Sequence, residues 1–215
     1  MVAERVHLVR HGEVDNPNGL LYGRLPGFEL SDRGHRMAKL AADDLHARNV
    51  PASRLVVSPL VRTRQSAQPI ADAFGIEPVT DDRVIEPWNR FEGRRMHGRY
   101  SALRQPTNWR FLWNPLRPSW GEPYTHVRDR VRAAMVDAVE AAPGGDVIVV
   151  SHQLPIWVTH LAVVHKPLAH RPDQRRCTLS SITTLAYDPA VGFREIDYRE
   201  PAAEEASDAT DQGAV

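Results

Sequence analysis

Two histidines, two arginines and one glutamate in this chain have residue types and surroundings suited to moving a phosphoryl group. Arg10-His11-Gly12-Glu13 closes the apolar run Val6-His7-Leu8-Val9, and Ser58-Pro59-Leu60-Val61-Arg62 follows Leu55-Val56-Val57. Ser151-His152-Gln153 follows Asp146-Val147-Ile148-Val149-Val150, and Glu86 ends the extended piece Val84-Ile85-Glu86. The planar fork of arginine matches two phosphate oxygens at once. A neutral imidazole is a nucleophile near pH 7, and a second, protonated histidine balances charge on the transferring group. A carboxyl group with a raised pKa protonates the departing alkoxide. The chemistry these residues suit is phosphoryl transfer through histidine, driven by positioning and electrostatics.

That chemistry requires the segments to meet. Short β-branched runs ending in polar residues read as buried parallel strands, and ligands in open α/β sheets sit beyond the carboxyl ends of such strands. Strands are predicted at 4–9, 54–57, 77–80 and 146–150. Helices are predicted from Ser31 to about Arg48, from Ser58-Pro59 to Gly75, from Pro123 to Pro143 and from Leu154 to His165. Thr178 to Tyr187 and Phe193 to Tyr198 form a closing antiparallel hairpin. The alternation implies an α/β three-layer sandwich: a mostly parallel sheet with an antiparallel edge hairpin and helices on both faces. Gly12 removes a side chain where the backbone must turn and come close to a ligand.

With 215 residues, 42% hydrophobic and 25% charged, the chain fits one domain over 1–200. The segment 88–121 interrupts the alternation as a small cap insertion of short helices packed by Trp88, Trp109, Trp113 and Trp120. Residues 90–132 hold ten arginines against Glu92, Glu122 and Asp129, a bias that is either a solvated face or an attraction for anionic substrates. Residues 201–215 are expected to be a disordered acidic tail. The formal net charge is zero, which gives no global field favouring nucleic acid or a membrane surface. Cys177 is the lone cysteine, so no internal disulfide or thiolate metal cluster forms. No secretory leader or transmembrane run is visible, and a cytoplasmic location is inferred.

The motifs resemble those of the histidine phosphatase superfamily, which includes the cofactor-dependent phosphoglycerate mutases. The Arg-His-Gly-Glu signature stands at Arg10 to Glu13. The Ser-Pro-Leu-x-Arg-x-x-x-Thr block appears as Ser58, Pro59, Leu60, Arg62 and Ser66, with serine for the last threonine. The second histidine is His152, and the acidic proton donor is Glu86, followed by Glu92-Gly93. Four motifs in order cover Val6 to Ala162. The resemblance implies that His11 accepts the phosphoryl group, that Arg10, Arg62, Asn16 and His152 bind it, and that Glu86 protonates the leaving group. Gly23 lies in the loop where members meet the substrate; Gln153, by its place after His152, is a further candidate for substrate contact, and the arginine-rich cap points to a small anionic or polyol phosphate ester. No metal, nucleotide or other cofactor is implied.

Two departures bear on the activity. Gln153-Leu154-Pro155 replaces the Gly-Gly that many members carry after the second histidine; the Gln153 N–H at a helix start still suits a phosphate. Glu86-Pro87-Trp88-Asn89 lacks the mutase-like Glu-Arg-x-Tyr-Gly, which favours phosphatase over mutase. A mutase-type transferase and a non-catalytic phosphoprotein-binding module are the alternatives. His11-x-Glu13 matches part of a zinc deaminase signature, but the required Pro-Cys-x-x-Cys is absent, and the flanking arginines repel a divalent metal. His7 reads as structural, His97 as a cap residue, Glu13 as loop support, and Arg64 as pointing away from Arg62.

Overall fold

A strand buried on both faces is built from a continuous apolar run, which Val147, Ile148, Val149 and Val150 supply in Asp146–Ser151 (β4), buried along its whole length. It lies inside a six-stranded sheet in the computed structural model, which describes residues 3–96, 98–99, 101–114 and 118–209. Arg5–Arg10 (β1) and Ala52–Val57 (β2) flank β4 and run parallel to it, and Pro78–Thr80 (β3) pairs with β2. Ile182–Asp188 (β5) pairs antiparallel with β1, and Gly192–Arg199 (β6) forms the edge hairpin, giving the order β3-β2-β4-β1-β5-β6.

Strand residues alternate between two cores. Val9, Leu55, Val57, Ile148 and Val150 pack with Ala41, Leu45, Ala67 and Ile70 from Asp32–Ala47 (α1) and Val61–Phe74 (α2). Val6, Leu8, Val147 and Val149 pack with Val127, Met135, Ile156 and Val158 from Tyr124–Glu140 (α3) and Gln153–Val163 (α4). The expected α/β layering is therefore present. Ser31 caps α1 by accepting the Gly34 N–H at 3.0 Å, and Gly75, with φ 64°, ends α2 in the left-handed region. His7 is buried between Thr184 and Asp146, both at 3.0 Å, in keeping with a structural role.

Three expectations need correction. First, α2 begins at Val61 rather than at Ser58-Pro59, because the Ser58 N–H still continues the sheet ladder to the Val150 carbonyl at 3.1 Å. Second, part of the segment after 200 is helical and packed. Ala203–Ser207 (α5) belongs to a cluster in which Ala202, Ala206 and Ala209 meet Met37 and Leu179, and Glu205 pairs with Arg36. Small apolar residues at helical spacing and two arginines on α1 offset the acidic composition that suggested disorder. Residues 210–215 of the expected tail lie outside the described residues.

Third, the cap is packed by Leu21, Phe91, Ala102, Phe111 and Trp120, while Trp109 and Trp113 are 60% and 75% exposed. Its short 3-10 helices, Ala102–Arg104 and Pro106–Phe111, match expectation. His97 lies outside the described residues.

Candidate active site

Because β1 and β2 both pair with β4, their carboxyl ends fall side by side. Arg10 is in register with Ser151, and Val57 with Val150. The ladder continues past the strands: the His11 N–H donates to the Ser151 carbonyl at 3.2 Å, and the Arg10 N–H to the Ser181 carbonyl at 3.1 Å. Arg10, His11, Arg62, Glu86 and His152 are all no more than 3% exposed. The sheet topology therefore gathers on one rim the side chains that carry the proposed chemistry.

His11 has a defined tautomer. Its Nδ1 lies 2.8 Å from the Gly12 carbonyl, an acceptor, so Nδ1 carries the proton and Nε2 keeps its lone pair. Burial, then Arg62, then Arg10 hold its pKa well below the ordinary histidine value, so the ring is neutral. Its ring centroid is 5.2 Å from that of His152.

His152 is also neutral in this state, since burial and the charge of Arg62 lower its pKa well below the usual value. The protonated second histidine expected above is corrected to this extent: without a phosphoryl dianion, the arginines and burial disfavour the imidazolium. Arg62 Nη2 is an obligatory donor 3.2 Å from His152 Nδ1, so Nδ1 accepts, and Nε2–H donates to Ser58 Oγ at 2.7 Å. Glu86 Oε2 stands 3.6 Å from the same Nδ1.

Besides its bond to His152, Arg62 is held at three points: Nη2 donates to the Gly23 carbonyl at 2.8 Å, the guanidinium lies 4.7 Å above the Tyr22 ring, and its own carbonyl accepts Ser66 Oγ–H at 2.8 Å. Its Nε is buried without a hydrogen-bond partner. Arg10 Nη1 donates to the Cys177 carbonyl at 2.6 Å. Glu86 Oε1 is likewise buried without a partner, and burial lifts its carboxyl pKa to about 7 against the opposing pull of Arg62, Arg175, Arg10 and Arg130. Ser151 Oγ ties down the segment carrying Glu86 by donating to the Val84 carbonyl at 2.7 Å.

The remaining expected residues sit as follows. Asn16 closes its own loop: its carboxamide donates to the Leu20 carbonyl at 2.8 Å and accepts the Leu20 N–H at 3.0 Å. Gly23, with φ +42°, leaves no room for a Cβ, which would lie 2.3 Å from Glu92 Oε1. Gln153 Oε1 accepts from Arg175 Nη1 at 3.0 Å. Gly12 is required for a different reason from the one anticipated: a Cβ there would lie 2.3 Å from the Gly34 carbonyl oxygen of α1, so the close approach is to protein backbone. Glu13 accepts from Ser31 Oγ, a supporting role, and Arg64 is exposed.

Sequence reasoning missed the return segment before β5. The Ser180 N–H donates to the His11 carbonyl at 3.2 Å from a left-handed φ of 56°, and the charge of Arg175, five residues earlier, acts on Glu86. No periodicity marks this stretch; only its arginines set it apart.

A sequence profile described as histidine phosphatase superfamily (branch 1) matches residues 6–195. An uncharacterized protein of Mycobacterium tuberculosis, Rv0525, is 46% identical over 201 residues, covering 93% of this chain and 97% of that protein. Phosphoserine phosphatase 1 of Hydrogenobacter thermophilus is 30% identical over 168 residues, covering 73% and 74% of the two chains. The solved structure of a mycobacterial glucosyl-3-phosphoglycerate phosphatase superposes with a TM-score of 0.74 at 24% identity over 92% of this chain and 99% of that one, a likeness of fold. No helix among the described residues is long and apolar enough to cross a membrane.

Proposed function

The chain belongs to the histidine phosphatase superfamily, branch 1, and from that premise we propose that it is a phosphomonoesterase. It hydrolyses a small anionic or polyol phosphate through a phosphohistidine at His11. The observation that carries this reading is the His11 ring. Its proton is committed to the Gly12 carbonyl, and its lone pair is left among Arg10, Arg62 and His152, beside a carboxyl group with a pKa of about 7.

The steps follow from these groups. The phosphoryl dianion enters among Arg10, Arg62 and His152, and an oxygen supplies the acceptor that Arg62 Nε lacks. The same negative charge favours protonation of His152. His11 Nε2 forms a bond to phosphorus as the ester P–O bond breaks, and protonated Glu86 gives its proton to the departing oxygen. Water then bonds to phosphorus, gives a proton to Glu86, and the P–N bond breaks, releasing inorganic phosphate. A relative named phosphoserine phosphatase supports hydrolysis of a small phosphate ester.

The test is phosphate release from a panel of phosphomonoesters by wild type and His11→Ala. Hydrolysis that is lost in His11→Ala supports the reading. Transfer between phosphoglycerates that outruns phosphate release indicates a mutase, and binding of phosphorylated ligands without turnover indicates a recognition module.

A further inference from the structure

Glu86 is placed differently from the other groups of the site. Arg10 and His11 continue β1, His152 follows β4, and Arg62 lies on α2. Glu86 follows the 3-10 turn Asp82–Val84 in an irregular stretch that leads into the cap. Its position therefore depends on what takes up the carbonyls of that stretch. The Arg83 carbonyl accepts from Arg130 Nη1 at 2.5 Å, and the Val84 carbonyl from Ser151 Oγ at 2.7 Å. The Glu86 carbonyl accepts from Arg24 Nε at 2.5 Å, and the Trp88 carbonyl from the Glu122 N–H at 3.2 Å.

Three of these four bonds lead to Glu122, whose carboxylate is buried. Glu122 Oε1 accepts from Arg130 Nε at 2.8 Å, and Oε2 accepts from Arg130 Nη2 and from Arg24 Nη2, both at 3.1 Å. His126 Nδ1 lies 2.9 Å from Oε1 on the solvent side. Each arginine thus turns part of its fork to the carboxylate and a further N–H to the stretch that carries Glu86. The two come from different places, Arg24 from the loop after β1 and Arg130 from α3. Long, flexible side chains of this kind hold one geometry only when something fixes the fork, and a shared carboxylate fixes both.

We propose that Glu122 is a positioning residue for the general acid: through Arg24 and Arg130 it holds the backbone that aims Glu86 at the departing oxygen. The inference rests on the phosphatase reading above, in which Glu86 protonates the leaving group.

Two consequences separate this role from plain support of the fold. A misplaced acid costs most where the leaving group needs its proton most. Removing the Glu122 charge also leaves Arg130 uncompensated. Arg130 already acts with Arg62, Arg175 and Arg10 to pull the Glu86 carboxyl down against burial, beside a neutral His152, so an unmatched Arg130 pulls it lower.

The test is Glu122→Gln, which keeps the size and removes the charge. The esters are p-nitrophenyl phosphate, phenyl phosphate and glycerol 3-phosphate, whose leaving groups rise in basicity. The variant is expected to lose about ten- to a hundredfold more in kcat on phenyl phosphate than on p-nitrophenyl phosphate, the order of loss that a small misplacement brings. The loss on glycerol 3-phosphate is at least as large. The descending limb of kcat/KM on phenyl phosphate is expected to move below its wild-type position at about pH 7. A loss that is uniform across the series, no loss, or a limb that stays in place overturns the proposal. If thermal unfolding shows that Glu122→Gln does not fold, Arg24→Met serves instead. Its side chain is partly exposed, and the change removes the donor to the Glu86 carbonyl while Arg130 stays on Glu122. The same growth of the loss with leaving-group basicity is expected, and a uniform loss overturns the proposal. Wild type that turns over p-nitrophenyl phosphate alone also overturns it, since no acid then serves the leaving group. No release from any ester ends the phosphatase reading and this inference with it, whereas release with a uniform loss ends only the role of Glu122.

Discussion

Glu86 Oε2 stands 3.6 Å from His152 Nδ1, with both side chains out of solvent. His152 Nδ1 accepts from Arg62, so the carboxyl group faces no proton donor from the ring, and its Oε1 has no hydrogen-bond partner among the described residues. Burial therefore dominates, and the group is protonated over much of the pH range below 7. A carboxyl group in that condition is prepared to give up a proton.

The first prediction concerns pH. Only protonated Glu86 can donate, so kcat/KM falls as pH rises through about 7, the pKa of its carboxyl in the free enzyme. Glu86→Gln removes this descending limb and lowers the rate by about 10²–10⁴-fold on alkyl esters. The loss is smaller on p-nitrophenyl phosphate, whose leaving group needs little protonation. A descending limb that survives Glu86→Gln assigns the acid elsewhere.

Glu86 also makes stability pH-dependent. Its pKa is raised from 4.5 to about 7 on folding, so the folded state binds the proton more tightly. Stability decreases as pH rises from about 4.5 to about 7, and Glu86→Gln abolishes that component. His11 and His152 act in the opposite direction: both are held neutral in the fold, so stability falls as pH drops through the ordinary histidine value of 6.5. Urea unfolding of wild type and Glu86→Gln between pH 5 and 8 separates the two components.

Gly12 and Gly34 interlock. A Cβ on Gly12 would lie 2.3 Å from the Gly34 oxygen, and one on Gly34 would lie 2.0 Å from the Glu13 oxygen. Gly12→Ala or Gly34→Ala is expected to cost about 1–3 kcal/mol through forced backbone movement. In a domain of this size that lowers Tm by about 2–10 °C. Both press the same two backbone segments apart, so the double variant should cost less than their sum. An unchanged Tm for Gly12→Ala would return Gly12 to the ligand-approach role expected from sequence.

Ser66 joins the nucleophile loop to the phosphate arginine. Its Oγ accepts the Gly12 N–H at 3.1 Å and donates to the Arg62 carbonyl at 2.8 Å. Ser66→Ala strands a buried donor, at a cost of about 1–3 kcal/mol. It should also lower kcat, because it loosens His11 and Arg62 together. Calorimetry beside steady-state kinetics checks both effects.

Much of this site was legible in the chain because its parts sit on the strongest signals. His152 follows the all-buried run of β4, and His11 and Arg62 follow strands that pair with β4, so a rule about strand ends was enough to bring them together. The rest depended on distant partners. Arg175 is placed by a loop returning from α4 to an antiparallel strand, and its anchors Gln153 and His170 lie 22 and 5 residues away. Gly12 answers to a helix turn contributed by Gly34. Asn16 was singled out by its position after the signature, and its carboxamide bonds both backbone groups of Leu20, a local bonding habit of asparagine that no strand or helix pattern signals. The tail helix required Arg33 and Arg36 of α1, to which composition alone is blind.

The most direct test is to trap the phosphoenzyme. Rapid acid-free quenching during turnover, followed by peptide mass spectrometry and ³¹P NMR, is expected to find one phosphoryl group on the peptide carrying His11. The linkage is expected at Nε2, since Nδ1 holds its proton for the Gly12 carbonyl. A phosphoryl group on another residue, attachment at Nδ1, or turnover that persists in His11→Ala would contradict this mechanism.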